Sequence, residues 1–219
     1  TPRDLVVSHN QGQLIFTAED AAHGRELWTR DGTPDGTHLV VDLNPGPASS
    51  SPSRLSDKSY GMLFVTQDDI GGGDDLWYTD GTVEGTQRIH ETTASITAVV
   101  RRGRESSLLE DYFVVDSGDE GVALWRQRGL GAELIQSFSA PQAGQSGIAN
   151  VTGSVQDLYF TYPSSPRSIE LWRVGPFGQV PTIIHTFESS DPARLPWVGN
   201  LTDVAGSLFL FADGLDANN

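Results

Sequence analysis

Short apolar runs punctuated by turn residues fill the chain, and their internal period is two rather than 3.6. The runs are rich in Val, Ile, Leu, Phe, Tyr and Thr, which marks them as strands. In the first unit the pattern predicts strands near Leu5–Ser8, Gln13–Ala18, Arg25–Arg30 and Thr37–Leu43. In the second it predicts them near Pro52–Lys58, Met62–Thr66, Asp74–Thr79 and Thr86–Glu91. Connections carry Gly, Asp, Asn, Pro and Ser, which suit tight turns, and no window shows an amphipathic helical stripe. The chain reads as all-β.

Leu-Trp pairs recur at Leu27-Trp28, Leu76-Trp77, Leu124-Trp125 and Leu171-Trp172, with tryptophan separations of 49, 48 and 47 residues. Each pair follows an acidic or Gly-rich loop, and that loop follows an apolar strand. Four antiparallel strands per repeat, repeated radially, form the blade of a β-propeller. An irregular β-sandwich is the alternative. The propeller is preferred because one large apolar side chain at an equivalent point in every sheet suits blade-to-blade packing, where each Trp can bury roughly 200 Å².

The 219 residues thus read as one repeat domain with blades at approximately 4–50, 51–93, 94–145 and 146–190, and a partial fifth at 197–219. The fifth has strands predicted at Val198–Val204 and Ser207–Ala212, giving about four and a half blades. A partial propeller leaves an unpaired sheet edge, so its expected partner is another chain or fragment that completes it, or a second copy of itself.

Within the first repeat, Glu26-Leu27-Trp28, Asp31-Gly32-Thr33, Gly36-Thr37, Asp42 and Pro45-Gly46 stand in one register. These residues resemble the ELWxxDGT repeat, found in tandem in large exported or surface proteins of bacteria. The second unit keeps Leu76-Trp77 and "TDGTVEGT" but lacks the Pro-Gly-Ser segment; the third and fourth keep Leu-Trp and lose DGTxxGT. The resemblance implies a propeller-like extracellular architecture, and it implies no known catalytic activity.

Charge narrows the partners. Asp and Glu number 29 against 14 Lys and Arg, a formal charge of -15. That sign disfavours nucleic acid and anionic membranes. The absence of cysteine excludes disulfides, thiolate zinc sites and thiol catalysis. No apolar run approaches the roughly 18–20 residues of a membrane span, so membrane insertion is not expected. The N-terminal residues carry neither a basic flank nor a long apolar region, so they do not read as a signal peptide.

The paired tripeptides Asp31-Gly32-Thr33 and Asp35-Gly36-Thr37 read as a turn between third and fourth strands, with calcium ligation by Asp31, Asp35 and Asp42 as the alternative. Acidic loops between second and third strands are better cation candidates: Glu19 and Asp20, then Asp116, Asp119 and Glu120, then Asp213 and Asp216. Asp68, Asp69, Asp74 and Asp75 in "DDIGGGDD" are the leading Ca²⁺ candidates, because four carboxylates repel unless a cation or solvent screens them. The four periodic tryptophans are expected in the core. Trp197 breaks the period, follows Pro196 in a connection, and is the candidate for a ligand or partner contact.

Enzymatic patterns are weak. His9, His23, His38, His90 and His185 form no HExxH, and no serine sits in GxSxG. Arg101, Arg102 and Arg104 read as a solvated turn. Asn150-Val151-Thr152 and Asn200-Leu201-Thr202 match glycosylation acceptors, yet both fall at the repeat position of Arg54-Leu55-Ser56, so repeat consensus explains them. The leading expectation is a non-enzymatic extracellular or cell-surface binding or scaffold module. A glycan-binding propeller with Ca²⁺ on its acidic loops, or a propeller hydrolase or lyase subunit, are the alternatives.

Overall fold

Strand pairing follows the repeat. The computed structural model describes residues 2–7, 12–58, 61–67, 72–101, 111–142, 145–154, 156–191, 194–204 and 206–214. The first sheet contains β1 (Arg3–Val7), β2 (Leu14–Asp20), β3 (Gly24–Arg30) and β4 (Thr37–Val41), and the second β5 (Ser53–Lys58), β6 (Gly61–Gln67), β7 (Asp74–Thr79) and β8 (Gln87–Glu91). The third contains β9 (Ser95–Arg101), β10 (Asp111–Asp116), β11 (Val122–Arg128) and β12 (Gly131–Phe138). The fourth contains β13 (Ala149–Gly153), β14 (Leu158–Ser165), β15 (Ser168–Val174) and β16 (Thr182–Glu188); β17 (Trp197–Val204) and β18 (Ser207–Asp213) form a two-stranded fifth. Strands neighbour one another in chain order within every sheet. The expected strands of the first, second and fifth units agree with these bounds to within two residues. Residues 1–99 with 129–132 form one compact unit, and residues 100–128 with 133–219 form another.

Each unit holds a core between consecutive sheets. In the first, Ile15, Leu27 and Val40 meet Met62 and Phe64 of the next sheet. In the second, Ile169, Leu171 and Phe187 meet Val198 and Leu201 of the fifth. Period-two alternation turns one set of residues toward the preceding sheet and the other toward the following one.

Leucine and tryptophan of each pair therefore part company. Leu27, Leu76 and Leu124 are 0% exposed and Leu171 is 4% exposed. The tryptophans, expected in the core, are only half-buried. Each lies opposite a phenylalanine of the second strand, in the pairs Phe16–Trp28, Phe64–Trp77, Phe113–Trp125 and Phe160–Trp172. Rings of the last three stand 6.1–6.4 Å apart with planes within 16°. An indole beside a cross-strand phenyl ring widens the apolar surface on that face of the sheet while part of the ring system stays accessible.

The first strands carry a shared irregularity. Asp4, Arg54, Asn150 and Asn200 have φ between 50° and 54°, and register shifts at each of them. A bulge with one residue in the left-handed region favours Asn and Asp, which adopt that conformation at lower cost than other residues with a Cβ. Asn150 is also tied down, because its Nδ2 donates to Thr161 Oγ1 at 3.0 Å and to the Val198 carbonyl at 2.9 Å.

Candidate functional site

The DGTxxGT segments are turns built around one carboxylate each. Asp31 Oδ1 accepts from the Thr33 backbone N–H at 2.8 Å and from Thr33 Oγ1 at 2.7 Å; Asp80 Oδ1 accepts from Thr82 at 2.9 and 2.7 Å in the same way. Gly32 and Gly81 both have φ of +91°. A Cβ on Gly36 or Gly85 would collide with the Asp31 or Asp80 carboxylate. Both glycines and the leading aspartate of each motif are thus consumed by the turn.

Glu19, Asp20, Asp116 and Asp213 of the loops between second and third strands each have a partner of their own. Asp20 Oδ1 accepts from the Ala22 and His23 backbone at 2.9 and 2.7 Å, and the carboxylate bonds His23 Nδ1 at 2.9 Å. Glu19 Oε2 lies 3.0 Å from Arg25 Nη2, Asp116 Oδ1 accepts from Gly118 N–H at 2.9 Å, and Asp213 Oδ1 accepts from Gly214 N–H at 2.7 Å. Asp74 and Asp75 are adjacent on β7, so strand alternation sends them to opposite faces. Asp74 Oδ2 accepts from the Ile96 N–H at 2.7 Å, whereas Asp75 Oδ2 sits 3.1 Å from Arg88 Nη1. Among the described residues no cluster of three or more His, Asp or Glu is placed to hold a metal ion. Asp68, Asp69, His9, Arg102, Arg104 and Asp216 lie outside the described residues.

The Gly-rich character of the loop before β7 has another use. A Cβ on Gly73 would strike the Thr92 carbonyl, one on Gly24 would come within 2.6 Å of the Ala48 carbonyl, and one on Gly121 would strike the Phe138 carbonyl. These glycines all stand three residues before the Leu of a Leu-Trp pair. Each lets the connection to the next sheet cross the start of the third strand. Backbone bonds fasten the crossing, Ser51 N–H to Arg25 O at 3.2 Å and Asp74 N–H to Ala94 O at 2.9 Å.

In the first unit this crossing shapes a cleft of about 640 Å³. Leu43, Asn44 and Ser50 of the connection form one wall. Glu26 holds that wall in place: its carboxylate accepts from the Ser50 N–H at 2.7 Å, from the Ser50 hydroxyl, and from the Leu43 N–H at 3.4 Å. Burial pushes the Glu26 carboxyl above the ordinary glutamate range, and the Ser50 hydrogen bonds oppose that shift.

The floor is β7 and β8. Trp77 Nε1 donates to Thr66 Oγ1 at 3.0 Å, which fixes the indole. The Arg88 guanidinium carbon stands 5.9 Å from the ring centroid, within cation–π range. Arg88 is held on its other side by Asp75 and by Glu91, whose Oε2 is 2.9 Å from Nη2. Gln67 and Gln87 add amides at the rim. The cleft thus combines an indole, a guanidinium, a carboxylate and neutral amides on rigid strands. Among the expected site residues that are described, only Asp75 belongs to it.

Trp197 stands elsewhere. It opens β17 rather than lying in the connection, because the β17–β18 pairing extends to Trp197 and Asp213. Its indole lies over Gly199, where a Cβ would come within 2.7 Å of Cζ2. The side chain is 48% exposed.

Sheets of four antiparallel strands, succeeding one another and packing face to face, define a β-propeller. The same fold is found in a puromycin hydrolase mutant complexed with PGG, at a TM-score of 0.55 and 14% identity over 96% of this chain. TolB from Acinetobacter baumannii gives 0.47 at 14% identity over 97% of this chain, and the N-terminal domain of Nup159 gives 0.48 at 12% over 98%. The chain spans 33%, 51% and 58% of the lengths of these structures, respectively. No protein-family profile matches it, and no curated protein does. Among the described residues no helix is long and apolar enough to cross a membrane.

Proposed function

We propose that this chain is a non-enzymatic β-propeller binding module that takes its ligand in the cleft above Trp77. The observation that carries the reading is the pairing of a fixed indole with the Arg88–Asp75 ion pair inside an open cleft of about 640 Å³. Rigid strands preorganise such groups, so little ordering cost is left for binding. Display outside a bacterial cell, as part of a larger propeller, belongs to the same proposal and rests on the likeness to ELWxxDGT repeats.

A carbohydrate is the ligand class that the cleft chemistry favours. An aromatic face covers the apolar C–H surface of a pyranose, while guanidinium, carboxylate and amide groups bond its hydroxyls in fixed directions. Glycan-array screening followed by calorimetry tests this. Trp77→Ala and Arg88→Gln are expected to weaken binding at least tenfold while far-ultraviolet dichroism stays unchanged. Full affinity in Trp77→Ala would exclude the cleft as the binding site, and turnover of the bound glycan would overturn the non-enzymatic assignment. Titrating in a chelator separates a calcium-dependent lectin at the Asp68–Asp75 loop from binding by the cleft itself.

A further inference from the structure

The periodic tryptophans share a cross-strand frame, and the chain fills that frame differently in two places. Phe64 lies opposite Trp77 and Phe160 opposite Trp172, with Thr66 opposite Asp75 and Tyr162 opposite Glu170. On the other flank Trp77 faces Arg88, and Trp172 faces Ile183. Thr66, Asp75 and Arg88 around Trp77 therefore correspond to Tyr162, Glu170 and Ile183 around Trp172.

Beside Trp172 the chain supplies a ring of its own. Phe138 ends β12 at the crossing that Gly121 permits. Its ring centroid stands 5.3 Å from that of Trp172 with planes at 86°, 4.7 Å from that of Tyr162 and 5.7 Å from that of Phe160. The Tyr162 hydroxyl donates to the Ser139 carbonyl at 2.8 Å, which fastens the residue next to the ring. Trp172 Nε1 donates to Glu170 Oε2 at 3.0 Å, which fixes the indole.

Beside Trp77 the connection brings other residues. Ala48 stands at the crossing over Gly24, and Leu43, Asn44 and Ser50 form the cleft wall. Among the described residues that line the cleft, Trp77 is the one aromatic. The frame that holds a phenyl ring beside Trp172 is thus open beside Trp77, and two of its positions have turned polar, Thr66 for Tyr162 and Arg88 for Ile183. An open place in a packed aromatic frame forfeits contacts that a ring of the same shape restores. Polar groups at its border call for hydrogen-bonding substituents on whatever carries that ring.

We infer that the cleft takes a saccharide carrying an aromatic substituent, an aryl glycoside, whose aryl ring occupies beside Trp77 the place that Phe138 fills beside Trp172. This rests on the reading of the cleft as a saccharide site and specifies its ligand. An edge-to-face contact leaves most of the indole face uncovered. The pyranose joined to the ring still lies against that face, and its hydroxyls reach Arg88, Asp75 and the amides of Gln67 and Gln87.

Calorimetric titration of phenyl β-D-glucopyranoside against methyl β-D-glucopyranoside is the experiment, on the wild type and on Trp77→Ala. The phenyl compound is expected to bind roughly tenfold more tightly than the methyl one, and the difference is expected to vanish in Trp77→Ala. Phe138→Ala vacates the ring's place beside Trp172, so phenol is expected to shift that indole N–H resonance in the variant and not in the wild type. A folded variant in which phenol leaves the resonance in place overturns the inference; should the variant unfold, the comparison of glucosides decides alone. Equal affinity for both glucosides, including no binding of either, overturns it, as does a phenyl preference that survives Trp77→Ala. N-acetylphenylalanine amide bound as tightly as the phenyl glucoside overturns it too, because the ring is then read without the sugar. An array glycan that binds through Trp77 while the glucosides are bound alike overturns this inference alone and leaves the cleft as a saccharide site.

Discussion

Glu26 and Ser50 form a buried pair in which one carboxylate accepts both the backbone N–H, at 2.7 Å, and the hydroxyl of the same serine. Ser50 in turn offers its carbonyl to the Gln67 N–H of the next sheet at 3.2 Å. One residue of the connection is thus bonded to two sheets, and Glu26 sets its position.

Truncating this carboxylate orphans the Ser50 and Leu43 amides, so Glu26→Ala is expected to lose about 2–3 kcal/mol in urea unfolding. Burial holds the Glu26 carboxyl above its ordinary range, so the folded chain binds more protons than the unfolded one between the ordinary value and the raised value. This group's contribution is complete below the ordinary glutamate value and is lost as pH rises through the raised one. Glu26→Gln, which does not titrate, is expected to flatten that segment of the stability-versus-pH curve; an unchanged slope would contradict it.

Gly73 is not in the left-handed region, so replacing it tests the close crossing by itself. Gly73→Ala is expected to cost about 2–3 kcal/mol, as forced overpacking does. Faster amide exchange at Asp74 and Ile96 would accompany it, because both bonds lie at the crossing. Gly46, with φ +99° and nothing within 4 Å, is the control. Gly46→Ala is expected to destabilise by backbone strain, about 1–2 kcal/mol, and to leave those two amides untouched.

Within the first turn, Gly36 and Asp31 are coupled by exclusion. Gly36→Ala displaces the Asp31 carboxylate and should cost about 1–3 kcal/mol. Asp31→Ala removes the turn's acceptor and should cost about 1 kcal/mol. In the double variant the clash with the carboxylate is gone and only the close approach to the Thr33 hydroxyl remains, so the costs should fall short of additivity by about 1 kcal/mol. Strict additivity in a denaturation cycle would argue against the turn geometry.

The hydrogen bond that the His23 imidazole makes to the Asp20 carboxylate raises the His23 pKa, and the same bond lowers that of Asp20. The histidine's contribution to stability is present below the ordinary histidine value and fades as pH rises through the raised one. Asp20's contribution is present above the ordinary aspartate value and fades as pH falls through the lowered one. Both groups lie at the surface, so the readout is a titration shift rather than a stability change. The ring resonances of His23, followed by nuclear magnetic resonance, should titrate above the ordinary range and return to it in Asp20→Asn.

Strands and register are legible in the sequence because period-two patterning and the Leu-Trp spacing act at the same scale as the sheet. The cross-strand partner of each tryptophan is legible too, because Phe16, Phe64, Phe113 and Phe160 stand 12 or 13 residues ahead of the four tryptophans. Gly24, Gly73 and Gly121 carry a similar signal, three residues before the Leu of the first three pairs, which marks a close approach rather than a flexible loop. Two features do not show themselves. The bulge accepts Asp4 and Arg54 as well as two asparagines, so no single residue type flags it. The cleft draws Asn44 and Gln87 from different repeats at non-equivalent positions, and only the folded crossing brings them beside Trp77.

The recurring crossing of each connection over its own third strand also defines a load path. Tension along the chain must first shear the bonds that fasten the crossing, Ser51 to Arg25 or Asp74 to Ala94, before a sheet can unravel. Force is therefore borne sheet by sheet. A repeat of 47–49 residues then yields on the order of 160 Å of extended chain per event, a sawtooth of nearly equal teeth in single-molecule extension.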